Sequence, residues 1–437
     1  MSNHVLSVFD GPARVGALEY ESLEERFAFE YDDAWRHNES AYSISPHIRM
    51  LEDKASSSTV RRFLENLLPE GRALDIVAST NQVSKNNIYG LIRELGQETS
   101  GALSFVGNEG ARVERGPRRR EISRAELKRR IDKRGEVPFA VWDGRVRMSI
   151  AGNQDKLAVY LDGERMYLVE GELASTHILK PEPVPQRLSM LVANEHFGMS
   201  LAGRLGLAVA PVSILRVPDP VLVVERFDRQ CVLNEVRKLH IIDGCQALNF
   251  PVSYKYERNF GSGRGDVRDI REGVSFARLF SAVDYTVAKA VTQLALVRWA
   301  LFQFLLGNSD AHGKNVSFFC GPDGLALAPF YDLVSVVQYE GLDHELAMAY
   351  GDEFQLDNIR PFDWATFGAH TRTPRAVLAR EMRRMGTAAP VAAATQAADA
   401  IYVGTEKELA KRIATFVAGQ ARKLVDMAAP MLKVELE

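Results

Sequence analysis

Residues 307–315 read Gly-Asn-Ser-Asp-Ala-His-Gly-Lys-Asn, a polar run between the very apolar residues 291–306 and the apolar residues 316–319. The first apolar segment predicts a buried helix and the second a strand. Asp310 and Asn315 have the spacing Asp-x-x-x-x-Asn. Phosphoryl-transfer enzymes use the Asp of this spacing to accept a hydroxyl proton and the Asn to hold a metal ion. The run therefore predicts a catalytic loop with Asp310 as the proton acceptor.

A further acidic residue, Asp332, ends the run Pro329-Phe330-Tyr331-Asp332 beyond a predicted hairpin. Protein kinases place a second metal-binding Asp at this point, because Mg²⁺ takes hard oxygen ligands that reach the phosphates from two separate loops. We therefore expect Asn315 and Asp332 to hold a metal ion. His312 fits a hydrogen-bonding role in the loop better than zinc binding, since no second His stands nearby at ligand spacing.

Two upstream segments fit the same chemistry. Residues 176–180, Thr-His-Ile-Leu-Lys, predict a strand ending at Lys180, and a strand lysine in kinase-like sites contacts the α- and β-phosphates. Glu195, in a predicted helix, is available to hold this lysine. Residues 149–156, Ser-Ile-Ala-Gly-Asn-Gln-Asp-Lys, precede a hairpin predicted at Asp162-Gly163. Small residues at such a place either cradle phosphates through backbone N–H groups or form a simple turn.

Each segment, taken singly, is more often a surface loop, an exposed strand charge, a helix cap or a turn. Their order along the chain is more specific. It runs from a small-residue loop through a hairpin, a strand lysine, a helix, an apolar strand and an apolar helix to a polar loop, a hairpin and an Asp. Kinase motifs follow this order. The sequence therefore predicts a kinase-like enzyme that uses ATP and Mg²⁺.

Composition limits the other functions. The chain has 437 residues, 46% hydrophobic and 25% charged, so it can bury a sizeable core and is not disordered throughout. With 54 Lys and Arg against 57 Asp and Glu, any contact with nucleic acid must come from a local patch. The three Cys residues are far apart, which favours a reducing, cytoplasmic location. No segment is long and apolar enough to predict a membrane span.

We predict an α+β protein in four successive parts, 1–108, 109–138, 139–230 and 231–437. The first is an N-terminal α/β subdomain. The second, rich in Lys and Arg, predicts a solvated linker followed by a charged helix, or else a contact with nucleic acid. The third predicts a strand-rich lobe with one helix over 187–205, and the fourth a mostly helical lobe. Together these two lobes predict a bilobal, protein-kinase-like fold.

Several motifs carry a resemblance to one known family. They are residues 148–156, 176–180, 224–229, 307–315 and 330–332, with residues 63–71 and 94–102 in the first part. In combination they resemble the HipA family of bacterial serine/threonine kinases. The resemblance covers nearly the whole chain.

The resemblance implies an ATP- and Mg²⁺-dependent protein kinase toxin of a type II toxin–antitoxin system. Its expected partners are a small DNA-binding antitoxin of the HipB type, operator DNA through that antitoxin, and a protein substrate. The family's best-known substrates are aminoacyl-tRNA synthetases, glutamyl-tRNA synthetase foremost, whose phosphorylation stalls tRNA charging and leads to growth arrest and persistence. The expected location is the bacterial cytoplasm, without a membrane partner.

The resemblance also implies roles for individual residues. Asp310 would be the catalytic proton acceptor, and Asn315 and Asp332 would bind Mg²⁺. The residues expected to bind ATP are Ala151, Gly152, Asn153, Gln154, Asp155, Lys156, Lys180, Glu225, Arg226, Phe227, His312, Gly313, Lys314, Asn315, Tyr331 and Asp332. Among them, residues 225–227 would form the adenine hinge. Ser149 would be autophosphorylated as an off-switch, because the added negative charge would repel ATP from the loop.

Two other functions stay open. A small-molecule kinase of the aminoglycoside or choline type uses a similar Asp-to-Asn loop and would need no antitoxin. A catalytically silent corepressor would bind antitoxin and DNA without transferring phosphate. All the metal-binding and base residues are present, which argues against silence.

Overall fold

A computed structural model of the chain describes residues 3–51, 54–96, 99–107, 118–143, 145–146, 154–170, 173–184, 188–232, 235–261 and 265–436. Two units account for the chain. The first comprises Met1–Pro181, Leu215–Val252 and Phe318–Ala326, and the second comprises Glu182–Ile214, Ser253–Ser317 and Leu327–Glu437. The four-part division at residues 108, 138 and 230 stays a prediction.

The first unit begins with an antiparallel sheet. Its strands are β1 (Asn3–Asp10), β2 (Ala13–Glu21), β3 (Arg26–Tyr31) and β4 (Leu103–Gly107), and their order is β3-β2-β1-β4. The hairpin predicted at Asp10-Gly11 joins β1 to β2, with Gly11 at φ 53°. Phe27, Phe29 and Tyr31 alternate along β3 and are all buried, as a half-buried strand requires. Four helices follow β3 or precede β4, namely α1 (Asp33–Arg36), α2 (Ser57–Leu67), α3 (Gly71–Thr80) and α4 (Ile88–Leu95).

A second sheet of six strands holds the predicted lysine. Its strands are β5 (Arg118–Ile122), β8 (Leu157–Asp162), β9 (Arg165–Glu170), β10 (His177–Pro181), β11 (Val212–Val217) and β12 (Asp219–Glu225). The order is β11-β12-β10-β8-β9-β5. The hairpin predicted at Asp162-Gly163 joins β8 to β9. Lys180 stands on β10, which is hydrogen-bonded on both sides and is therefore an interior strand rather than an edge.

The predicted basic linker is a strand over residues 118–122. This strand, β5, pairs with β9 at the edge of the sheet. An Arg-rich edge strand resists pairing with other chains, and its sequence therefore looks like a solvated linker. The charged helix after it, α5 (Arg124–Asp132), is confirmed, and the Ser123 hydroxyl accepts the N–H of Glu126 at 3.1 Å. Its apolar face, Leu127 and Ile131, is buried in the core of this sheet.

The remaining elements of the first unit are short. They are β6 (Val141–Trp142), β7 (Arg145–Val146), β13 (Arg229–Val232), β14 (Glu235–Lys238), β15 (Ile241–Asp243), α7 (Gly244–Ala247), β16 (Ser317–Gly321) and β17 (Gly324–Leu327). The last two form the hairpin predicted around residues 322–324 and join β15 in a three-stranded sheet.

The second unit is mostly helical. Its helices are α6 (Leu191–Arg204), α8 (Phe276–Ser281), α9 (Lys289–Leu306), α10 (Pro361–His370), α11 (Arg375–Ala397) and α12 (Thr405–Met431). The predicted buried helix is α9, which packs against α11 and α12 and buries Trp299 and Leu305 completely. A helix that is apolar on nearly all sides belongs in the interior. No helix among the described residues has the length and apolarity to span a membrane. The α+β class predicted from the sequence is confirmed.

The helix predicted over 187–205 begins later, at Leu191. The carboxylate of Glu182 accepts the N–H groups of Leu191 and Val192 at 3.0 and 3.1 Å. These are the first amides of α6, which lack partners within the helix. Met190, just before it, has φ 62°, which is not helical backbone. The start of the helix is thus set by a residue nine positions upstream.

Candidate active site

The polar loop begins where α9 ends, at Gly307. This residue has φ 67°, and its N–H donates to the carbonyl of Gln303 at 2.9 Å. A Cβ atom at Gly307 would lie 2.6 Å from Val337 and 2.7 Å from Phe416. Both the left-handed backbone and the crowding therefore require glycine, which ends the helix sharply before the catalytic loop.

Asp310 stands three residues beyond this helix end. The Asn308 side chain donates to Oε1 of Gln303 at 2.9 Å and accepts the N–H of Asp310 at 3.1 Å. Asn308 is buried, whereas Asp310 is exposed. The loop therefore presents the Asp310 carboxylate at the surface from a rigid base, where an incoming hydroxyl can reach it.

Asn315 and Asp332 come together in the second unit. The Asn315 Nδ2 donates to Oδ2 of Asp332 at 3.3 Å. Its Oδ1 accepts the N–H of His312 at 3.0 Å, which fixes the orientation of the amide. An amide oxygen has two lone pairs, so Oδ1 keeps capacity for a metal ion.

The Asp332 segment is fixed to its surroundings through Phe330 and Tyr331. The N–H of Phe330 donates to Ala208 at 2.8 Å, and the ring of Phe330 stacks on Trp299 of α9 with centroids 6.0 Å apart. The Tyr331 hydroxyl donates to the Lys314 carbonyl at 2.6 Å. Asp332 itself has φ 58°, a conformation that costs a non-glycine residue about 1 to 2 kcal/mol. Such strain is frequent at functional sites.

His312 is a neutral residue of the loop. Burial, aided by the nearby Lys255 and Lys314 charges, lowers the pKa of His312 to about 3. Among the described residues, its Nδ1 has no hydrogen-bond partner. Its backbone N–H donates to Oδ1 of Asn315, and its carbonyl accepts the N–H of Asn315 at 3.0 Å. The residue therefore shapes the loop as an uncharged ring.

The oxygen ligands required for Mg²⁺ are available in the second unit. Asp332 supplies a carboxylate and Asn315 an amide oxygen from a different segment, and Mg²⁺ prefers such hard oxygen donors. Lys314, the buried residue before Asn315, carries a positive charge suited to phosphate. The donor set thus fits a magnesium-bound nucleotide.

The other predicted nucleotide residues lie in the first unit. Lys180 is buried at the end of β10, opposite Leu222 of β12. Gln154, Asp155 and Lys156 are half-buried, and the Gln154 side chain donates to the carbonyl of Pro181, the residue after Lys180, at 3.5 Å. The end of the small-residue loop is therefore next to the end of the lysine strand. Ser149, Ala151, Gly152 and Asn153 lie outside the described residues.

The predicted hinge follows β12 and is anchored by a buried ion-pair cluster. Asp228 accepts from Arg226 at 2.7 and 2.9 Å, from Arg229 at 2.9 Å and from the Gly101 N–H at 3.0 Å. Arg226 also donates to the Ser175 hydroxyl at 2.9 Å. Burial would raise the pKa of Asp228, but the two Arg charges hold it below its ordinary value. The Arg226 side chain therefore makes its hydrogen bonds within the first unit. Glu225 is exposed and Phe227 is half-buried.

Sequence reasoning missed two residues that support the loop. Asn194 of α6 and Ser335 exchange hydrogen bonds of 2.8 and 3.0 Å, and the Ser335 hydroxyl donates to the Leu306 carbonyl at 2.7 Å. They link α6, the end of α9 and the segment after Asp332. A buried Asn inside an apolar helix was the only sequence signal for this contact.

Comparisons with known proteins match most of the chain to one family. A profile of the HipA N-terminal domain matches residues 6–106, and a profile of the HipA-like C-terminal domain matches residues 148–394. The chain belongs to the HipA family. A HipA relative from Shewanella oneidensis, called serine/threonine-protein kinase toxin HipA, is 42% identical over 88% of this chain and 87% of its own length. A putative kinase of Sinorhizobium fredii, Y4mE, is 32% identical over 90% and 92%.

A solved HipA structure is also similar to this chain. It is the Shewanella oneidensis HipA in a complex with HipB and operator DNA, with a TM-score of 0.89, 38% identity, and coverage of 99% of this chain and 100% of that one. The predicted family and enzyme class are confirmed. As a HipA protein the chain is a serine/threonine-protein kinase of the toxin–antitoxin class, and kinases in general use ATP and Mg²⁺.

Proposed function

We propose that this HipA protein transfers the γ-phosphoryl group of ATP to a serine or threonine hydroxyl of another bacterial protein, with Asp310 as proton acceptor. One observation carries the proposal. The 3.3 Å contact between Asn315 and Asp332 unites oxygen ligands from two segments beside the loop that presents Asp310. Oxygen ligands next to an accessible carboxylate are the parts that phosphoryl transfer requires.

In this mechanism Asp310 accepts the proton of the substrate hydroxyl while the hydroxyl oxygen forms its bond to the γ-phosphorus. The bond from that phosphorus to the β,γ-bridging oxygen breaks, and ADP leaves. Asn315 and Asp332 would hold Mg²⁺, which neutralises charge on the phosphates when bound. Lys314 adds positive charge, and the neutral His312 keeps Asn315 oriented through its backbone N–H.

The first unit would bind the rest of the nucleotide. Lys180 would contact the α- and β-phosphates. Backbone N–H groups of residues 151–156 would cradle the phosphates, and residues 225–227 would receive the adenine. The burial of Lys180 on an interior strand supports this role, because a lysine kept next to a sheet core is well placed to be ordered before ATP binds.

The proposed substrate is an aminoacyl-tRNA synthetase, with glutamyl-tRNA synthetase the first to test, so that phosphorylation inhibits translation and arrests growth. We further propose that a HipB-like antitoxin neutralises the chain and brings it to operator DNA in the bacterial cytoplasm. Support comes from the solved Shewanella oneidensis complex, whose HipA resembles this chain along its whole length.

Ser149 is the proposed autophosphorylation site. A phosphate there would add nearly two negative charges beside the loop that binds the ATP phosphates, and like charges repel. Phosphopeptide mass spectrometry of the chain from expressing cells should find phosphate on Ser149 in the wild type and none in Asp332→Asn. Phosphate on Ser149 in both proteins would contradict self-modification.

The main test incubates the purified chain with radiolabelled ATP, Mg²⁺ and glutamyl-tRNA synthetase. We expect the synthetase to be labelled, and Asp310→Asn to lower the rate about 1,000-fold, because the proton acceptor is removed. Asp323→Asn, an exposed Asp of the β16–β17 turn, is the matched control and should keep the wild-type rate. Equal rates for Asp310→Asn and wild type would overturn the proposed mechanism.

A further inference from the structure

The hydroxyl of Tyr256 lies 2.6 Å from Oδ1 of Asp310. A carboxylate only accepts hydrogen bonds, so the tyrosine O–H is the donor. No motif points to Tyr256, which precedes Asp310 by 54 residues. We propose that Tyr256 is a positioning residue of the kinase reaction, which holds the Asp310 carboxylate in the orientation that accepts the substrate proton. This inference rests on the proposed role of Asp310.

The backbone before Tyr256 is attached to the catalytic loop itself. The N–H of Gly313 donates to the carbonyl of Lys255 at 2.9 Å. A Cβ atom at Gly313 would lie 2.9 Å from three atoms of Val274, so the close approach of the loop to Val274 depends on glycine. The Tyr256 ring stands edge-on to His312, with centroids 5.1 Å apart. Tyr256 therefore keeps its place relative to the loop of Asp310.

The backbone after Tyr256 is anchored just as firmly. The N–H of Glu257 donates to Ala347 at 2.9 Å, and the buried Glu257 carboxylate accepts the N–H of Ala349 at 2.8 Å. Arg271 donates to the same carboxylate at 2.7 Å. A tyrosine whose two neighbours are both fixed has little freedom to move away from Asp310, even though Tyr256 as a residue is 36% exposed.

The chemistry needs such a contact because an exposed Asp carboxylate turns easily about its last side-chain torsion. A hydrogen bond to a charged acceptor is about twice as strong as a neutral one and fixes that torsion. The carboxylate accepts about four hydrogen bonds in all, so the bond from Tyr256 leaves capacity for the substrate hydroxyl. Loss of the Tyr256 hydroxyl should therefore slow the chemical step and leave ATP binding unchanged.

The test measures phosphorylation of glutamyl-tRNA synthetase by the full-length Tyr256→Phe protein. We expect kcat to fall about 10-fold, the factor that corresponds to one hydrogen bond to a charged group. The KM for ATP and the melting temperature should stay at their wild-type values. Tyr254→Phe, which removes a hydroxyl two residues away, is the matched control and should keep the wild-type kcat. A wild-type or raised kcat in Tyr256→Phe would overturn the inference.

A double-mutant cycle separates positioning of Asp310 from any other role. In the residual activity of Asp310→Asn, adding Tyr256→Phe should cause no further loss, because residues that act as a unit are not additive. A further 10-fold loss would overturn the inference and leave the proposed function intact. Full activity of Asp310→Asn alone would overturn the proposed function itself, whatever Tyr256→Phe does.

Discussion

The side-chain amide of Asn315 donates to the carboxylate of Asp332 at 3.3 Å, although a hairpin separates the two residues in the sequence. Their neighbours are bonded too, since the Tyr331 hydroxyl reaches the carbonyl of Lys314 at 2.6 Å and lies 2.8 Å from the Ser317 hydroxyl. Paired contacts between the same two segments resist displacement better than one. The arrangement keeps both proposed metal ligands in place before a nucleotide binds.

Asp332→Asn should abolish kinase activity without lowering stability. Asn tolerates the positive φ of this position as well as Asp does but carries no charge for Mg²⁺. We expect at least a 100-fold fall in kcat and an unchanged melting temperature. Asp332→Ala is the comparison, because Ala loses the charge and also suits this backbone poorly, so it should be less stable than Asp332→Asn by about 1 kcal/mol. An active Asp332→Asn protein would exclude Asp332 as a required ligand.

Gly307→Ala should destabilise the second unit and impair catalysis. The new methyl group would meet Val337 and Phe416 at less than 3 Å in addition to the unfavourable φ. Gly206→Ala isolates the backbone cost, since Gly206 also follows a helix, α6, has φ 82°, and the described residues place no atom within 4 Å of its Cβ. Gly307→Ala should lose about 1 to 3 kcal/mol more than Gly206→Ala in denaturant unfolding. Equal losses would show that crowding at Gly307 is unimportant.

Asp228→Asn should destabilise the first unit strongly. The substitution leaves Arg226 and Arg229, whose side chains are 2% exposed, without their shared carboxylate. Breaking a buried ion pair in this way costs about 3 to 5 kcal/mol. Denaturant unfolding should show that loss, whereas Asp219→Asn at an exposed strand end should change little. A wild-type midpoint for Asp228→Asn would mean that the cluster does not stabilise the fold.

The buried His312 and His240 should make the protein less stable in mild acid. Burial lowers the pKa of each below the ordinary 6.5, so both are neutral when folded but bind protons when unfolded below that pH. The contribution of these two groups to the free energy of unfolding is therefore fully present above pH 6.5. It is lost as the pH falls, by up to about 1.4 kcal/mol per group and pH unit. Denaturant unfolding at pH 7.5 and 5.5 should show the loss. His312→Gln should reduce it, and the exposed His4→Gln should not; equal pH dependence in all three proteins would contradict the assignment.

Local signals in the sequence predicted much of the fold. The turns at Gly11, Gly163 and Gly324 all take the positive φ that marks a hairpin, and the apolar residues before Gly307 form the buried α9. Turn chemistry and periodicity depend on near neighbours, so one sequence is enough to find them. The run from Asp310 to Asn315 was found because its spacing is itself local.

Contacts between distant residues were not predictable in this way. Asn194 meets Ser335 across 141 residues, and Gly101 meets Asp228 across 127. Such polar contacts depend on which distant segments meet in the folded chain, and they produce no periodic pattern in the sequence. The strand at residues 118–122 was not predicted for the same reason, since its partner β9 follows more than forty residues later. The contact of Tyr256 with Asp310 is a further example.

Nucleotide binding is tested most directly by calorimetric titration of ATP into the Asp310→Asn protein, in which turnover should be about 1,000-fold slower. We predict Mg²⁺-dependent binding that Lys180→Met weakens about 10-fold, since a charged contact to phosphate is lost. Adding Asp332→Asn instead should remove the dependence on Mg²⁺. If either added substitution leaves binding of Mg²⁺ and ATP at the level of Asp310→Asn, that residue does not contribute to nucleotide binding, and the proposed function is contradicted.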